Sequence, residues 1–122
     1  MHPSYWDRFI RDHRLIGRSI EIPELADASG LGADLQIYTA EQSREEAEDF
    51  YPGIAVAPDG FVPVAQCLGG SGDPYFINVG DGEGGPLYRI YHDAVADEPY
   101  DPAEAVAVVL PDYRHLLRYS DA

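Results

Sequence analysis

Apolar residues recur at helical spacing from the start of the chain. Tyr5, Trp6, Phe9, Ile10, His13 and Ile16 fall on one stripe, while Asp7, Arg8, Arg11 and Asp12 face away from it. The spacing predicts an amphipathic helix with Ser4 as its N-cap, Asp7 as a weak capping-box partner and Gly17 as its terminator. His13, at the margin of the stripe, reads as packed or partly exposed. Residues 19–22 alternate and stop at Pro23, which predicts a short edge strand. Ser29, Gly30, Leu31 and Gly32 read as a turn, and residues 34–39 as a second strand. Thr39 with Gln42 then forms a capping box at the head of AEQSREEAEDF, a helix ended by Pro52 and Gly53. Early acids Glu41, Glu45 and Glu46 suit the N-terminal half of a helix dipole. Only Ala40, Ala47 and Phe50 are apolar there, so that helix is expected to be largely exposed.

From residue 53 the pattern shortens. Residues 53–56 read as apolar and extended, and Pro58, Asp59 and Gly60 as a turn in which Gly takes the positive φ. Residues 61–68 read as a strand, with Pro63 pushing it towards an edge or a bulge. GGSGD at 69–73 is a break, 75–79 a strand, and 80–86 another break. Residues 87–92 alternate, Leu87, Arg89 and Tyr91 against Tyr88, Ile90 and His92. Strands in sequence joined by short turns predict an antiparallel meander. Residues 93–103 are acidic with two prolines and read as a surface loop. The run 104–110 is too short to separate strand from helix. Pro111 suits a first helical position, and Tyr113, Leu116 and Leu117 predict a closing helix with Arg114, His115 and Arg118 outside its stripe. The expected fold is a single α+β domain over residues 1–122, an antiparallel sheet packed by the N-terminal and C-terminal helices.

Composition narrows the function classes. The 122 residues suit one domain with one core, and 45% hydrophobic content with nine Tyr and four Phe is globular. No run approaches the roughly 18 apolar residues of a spanning helix. The start MHPSYWDRF lacks the regions of a signal peptide, so a cytoplasmic location is expected. Net charge is −14, and all eight basic side chains are Arg. That balance argues against nucleic acid, whose phosphates need cations, and against an anionic membrane surface. It permits long-range attraction to a basic partner. The single cysteine, Cys67, has no disulfide partner and lies in an apolar run, so it reads as a buried structural thiol.

The candidate chemistry is thin. GGSGD precedes a strand, so no helix N-terminus would aim at a phosphate, and its glycines read as turn formers. Asp81, Gly82, Glu83 and Gly84 lack the alternating oxygens of a calcium loop of about twelve residues. The histidines show no ligand spacing, and no metal or cofactor is expected. His92 beside Asp93 is the one enzymatic arrangement, a candidate general base for a small hydrolase. Adjacent strand residues point to opposite faces, so Asp93 is not expected to orient His92. Tyrosines cluster in the C-terminal half, where they suit either an interface or a half-buried sheet face.

Three segments carry a resemblance: GFVPVAQCLGGSGDPYFINV, GPLYRIYHD and VVLPDYRHLLRY. Their order is similar to that of the SUKH superfamily, which holds bacterial immunity proteins and fungal cell-wall-assembly regulators. Trp6 in an opening helix fits that pattern as well. Between Ile22 and Phe61 the chain lacks the family's Leu-Pro and Asn-Gly-Gly pattern. The resemblance implies a non-enzymatic protein that neutralises a cognate toxin by direct contact. It implies a structural part for Gly70, Asp73, Tyr75, Tyr91, His92 and Asp93. An acidic surface would suit a basic nuclease toxin. The residues expected to form the partner face are Asp81, Glu83, Tyr88, Asp97, Glu98, Tyr100 and Asp101. A regulatory scaffold with a cellular partner is the second binding reading.

Overall fold

Six strands pair in the order in which they occur: β1 (Ser19–Ile22), β2 (Ala33–Ile37), β3 (Phe61–Cys67), β4 (Tyr75–Asn78), β5 (Leu87–Ile90) and β6 (Val106–Leu110). Every pairing is antiparallel, so the meander expected for the centre extends across the whole sheet. The computed structural model describes residues 3–95 and 100–120 of the chain. The fold is α+β, with helices α1 (Ser4–Asp12), α2 (Ala40–Asp49), α3 (Gly53–Val56) and α4 (Pro102–Ala105) and several short 3-10 helices. Among the described residues, no helix is long and apolar enough to cross a membrane.

Strand alternation divides the apolar residues between two layers. One face carries Ile20, Ile22, Leu35, Ile37, Tyr75, Ile77 and Leu87, and it is covered by Trp6, Phe9 and Ile10 of α1 and by Tyr113 and Leu116 near the C-terminus. Tyr113 is the hinge pin of that cover, edge-on to Trp6 and Phe9 at centroid distances of 5.2 and 5.1 Å. The opposite face carries Phe76 and Ile90, with Phe61 and Tyr88 beside them, and it is covered by Ala55 and Val56 of α3 and by Val95 and Ala105. Helix α2 packs on α3 and β3. Between the layers' edges, the β1–β2 connection reaches β6 through the Ala28 N–H, which donates to the Val109 carbonyl at 2.8 Å.

Several expectations are corrected. Helix α1 is capped by Pro3, whose carbonyl accepts from Trp6 and Asp7, and not by Ser4. It ends at Asp12, because Arg14 turns left-handed at φ +54° and sends Leu15 into the core. The Leu15 N–H then reaches the Ile10 carbonyl at 2.8 Å, and Arg14 that of Arg11 at 3.2 Å, a two-bond C-cap that leaves Ile16 exposed. Residues 53–56 form a helical turn, not an extended run. Pro63 does sit at a bulge, but β3 is a central strand paired on both sides. Strand β5 stops at Ile90, and His92 begins a 3-10 helix (His92–Val95), so the 93–103 loop holds most of that helix and the start of α4. The ambiguous run 104–110 resolves into the end of α4 followed by β6. The closing element is a 3-10 helix (Tyr113–Arg118) capped by Asp112, so Pro111 lies outside it.

Candidate functional site

The expected partner residues are brought together in part. The Tyr88 hydroxyl donates to Asp81 at 2.6 Å, and its ring stands edge-on to Phe61 at 5.4 Å. The Tyr100 hydroxyl donates to Asp59, and the Asn78 amide donates to the Asp59 carbonyl at 3.1 Å. Asp81, Tyr88 and Tyr100 therefore gather with Asp59 at one end of β3, β4 and β5. Asp101 follows directly and caps α4 by accepting from the Ala103 N–H at 3.0 Å. Burial first, and then the carboxylate partner, pushes Tyr88 and Tyr100 each up to about 12, so both remain neutral donors at neutral pH. Glu83, two residues on, acts with Asp81 on Tyr5 and also on Tyr113 and Arg114. Asp97 and Glu98 lie outside the described residues. Asp59 was not among the expected residues, because the Pro-Asp-Gly motif reads fully as a turn. None of Asp59, Asp81, Glu83 or Asp101 joins an ion pair among the described residues.

Charge is sorted by layer. Arg8, Arg11, Arg14, Arg18, Arg114 and Arg118 all belong to α1, its exit turn or the closing 3-10 helix, which cover one face, against Asp7, Asp12 and the capping Asp112. The cover of the other face holds Glu41, Glu45, Glu46, Glu48, Asp49, Asp59, Asp93, Asp101 and Glu104, with Arg44 its only described cation. Within this acidic cover runs an apolar groove of about 260 Å³, lined by Ala47, Ala57, Phe61, Val62 and Val79 with Glu48 at its rim. Val79 is 48% exposed there, and Phe50, at the C-terminal end of α2, is 54% exposed.

His92 is held by two carboxylates. Its Nδ1 lies 2.5 Å from Asp73 Oδ1, which also accepts from the His92 backbone N–H at 2.9 Å. Its Nε2 lies 3.1 Å from Asp93. Asp93 does reach His92, contrary to the strand argument, because both residues sit on a helical turn. The buried Asp73 thus ties the GGSGD loop to the turn after β5. This bond gives the two motifs a structural reason to occur together.

A larger cavity of about 440 Å³ opens on the α1 side of the sheet, between the β1–β2 end and the 69–72 loop. Cys67, Tyr75 and Arg89 line it. Arg89 is 3% exposed, pairs with the buried Asp27 at 3.0 Å, donates to the Gly32 carbonyl at 2.6 Å and lies over the Tyr75 ring at 5.3 Å. Both of these bonds use Nη2, and Asp27 is completed by the N–H and hydroxyl of Ser29 at 2.7 and 2.6 Å. Cys67 is half-buried with its sulfur 3.2 Å from Ser71 Oγ, which corrects its reading as a buried structural thiol. Burial alone would push the thiol up. The Ser71 hydroxyl and the backbone N–H groups of Gly72, Gly69 and Ser71 outweigh that and hold it below its usual range. The alternation of β5 already places Arg89 on the face of Leu87, a signal that could have marked it as buried.

Among the described residues, no group of three His, Cys, Asp or Glu is arranged to hold a metal ion. In comparison with known proteins, the chain matches no family model, no curated protein and no solved structure.

Proposed function

We propose that this chain is a non-enzymatic protein-binding domain, an immunity protein resembling the SUKH superfamily that neutralises a basic toxin by direct contact. The observation that carries the reading is the sorting of charge by layer. A net charge of −14 spread evenly would only keep the protein soluble; with nine carboxylates and one Arg on one cover and six of the eight Arg on the other, it forms a field that steers a cation-rich surface to one side. The groove between α2 and β3 adds the apolar centre that a tight interface needs inside a polar rim. A basic nuclease groove, built to attract phosphates, has the complementary charge.

The face is centred on α2 and the groove, and includes Asp59, Asp81, Tyr88, Tyr100 and Asp101. The hydrolase reading would use His92 oriented by Asp73, but neither of the two cavities described is lined by His92. A regulatory scaffold would use the same acidic face with a different cellular partner.

The test is titration of the chain with the toxin domain encoded beside it. A one-to-one complex is expected, with an association rate falling at least about tenfold between low and high salt. Glu45→Arg with Glu48→Arg should weaken it strongly, and Arg8→Glu on the other cover should leave it intact. Absence of a complex, or association indifferent to salt, would sink the proposal.

A further inference from the structure

The cavity on the α1 side is unused by the partner-binding reading, and its chemistry points elsewhere. The Ser71 hydroxyl lies 3.2 Å from the Cys67 sulfur and can donate to it, and both side chains line the cavity. A donor so placed favours the thiolate, which is the nucleophilic form of cysteine.

Arg89 is the independent second observation. It is almost fully buried, and both of its hydrogen bonds leave from Nη2. Its Nε is buried without a partner. A buried guanidinium with an unsatisfied N–H on a cavity wall calls for an acceptor-rich ligand, and a carboxylate fits the planar fork best. A cavity of about 440 Å³ lies within the range of small-molecule sites.

We propose that Cys67 is a modification site that exchanges with small organic disulfides bearing a carboxylate, the carboxylate being received by Arg89 and the disulfide by Cys67. The thiolate of Cys67 attacks one sulfur of the reagent. A new S–S bond forms to Cys67 as the old one breaks, and its electron pair leaves on the other sulfur as a thiolate. The proton given up by Cys67 goes to solvent, and the reagent disulfide is the oxidant. Glu21, Glu24 and Asp34 also line the cavity, so without Arg89 an anionic reagent would be the slower one. That makes the reagent's charge a demanding test.

The chain has one cysteine, so thiolate release reports on Cys67 alone. Rates would be measured for the dicarboxylate dithiobisnitrobenzoate and for neutral dithiodipyridine, on the folded protein and on the chain in urea. The ratio of the dicarboxylate rate to the neutral rate is expected to be at least about threefold higher in the folded protein. An equal or lower ratio would overturn the proposal. Ser71→Ala is expected to slow both reagents severalfold, and unchanged rates would overturn the part given to the Ser71 hydroxyl. Arg89→Gln with Asp27→Asn, checked for native circular dichroism, should return the ratio to its value in urea. A folded double variant that keeps the high ratio would likewise overturn the role of Arg89. The wild-type comparison decides the matter even where that variant does not fold.

Discussion

At residue 14 an arginine does a glycine's work. Its φ of +54° lies in the left-handed region, where a side chain costs about 1 kcal/mol, and the exposed side chain returns nothing to the core. Arg14→Gly removes that strain but loosens the unfolded chain, so a net gain of up to about 1 kcal/mol is expected, read as a higher urea midpoint. A lower midpoint would mean that the Arg14 side chain contributes something the geometry does not show. The sequence could not mark this position, because the turn is dictated by Leu15 having to enter the core, a tertiary demand. The Thr39–Gln42 capping box was legible because adjacent residues decide it; both of its bonds form, at 2.9 and 3.1 Å. The tyrosines give the second expectation at this scale. Tyr88 and Tyr100 have their pKa raised in the folded state, from 10.0 to about 12. Their contribution to stability is therefore complete below about pH 10 and is lost as pH rises from there through about 12. Urea midpoints should fall across that window, and less steeply in Tyr88→Phe/Tyr100→Phe. An equally steep fall in the double variant would assign the loss to other groups.

At the scale of elements, α2 and α3 show how a largely polar helix finds its seat. The buried residue of α2 is Ser43, whose hydroxyl donates to the Pro63 carbonyl at the β3 bulge. Counting apolar residues missed it, since the contact is made by a small polar side chain at a close approach. Helix α3 meets α2 through Gly53, where an added Cβ would lie 2.0 Å from the Glu46 carbonyl oxygen. Gly53→Ala must push the two helices apart, and a loss of about 1–3 kcal/mol is expected in urea unfolding. A loss under about 0.5 kcal/mol would mean that the pair slides freely. The strands were legible, β1 and β5 from period-two alternation and β2 to β4 as apolar runs between turn residues, although β5 stops two residues short of the expected end. Helix α3 was not, because a run of four residues carries no measurable period, and the closing helix stands where its stripe put it but with 3-10 turns. The Asp27–Arg89 pair was equally hidden, its members being 62 residues apart and brought together only by the curl of the sheet.

For the whole molecule, charge is what the packing leaves unbalanced. The acidic cover repels itself, and exposed charges are screened by salt within about 10 Å at 0.1 M. Raising sodium chloride from about 10 mM to about 500 mM should lift the melting temperature by about 5 °C. A fall, or no change, would show that the carboxylates are already neutralised by the fold. The net charge could be read from composition, but its segregation could not, since that depends on which side of the sheet each helix crosses. The order of the strands carries one more consequence, for synthesis on the ribosome. A sheet whose strands pair strictly with their chain neighbours can grow as the polypeptide emerges, each new strand finding its edge already waiting. The cover cannot form in the same way. Trp6 leaves the exit tunnel long before Tyr113, and Asp27 long before Arg89, its buried cation. The nascent chain thus carries a finished hairpin with an open apolar flank until Tyr113 and Leu116 arrive to close it.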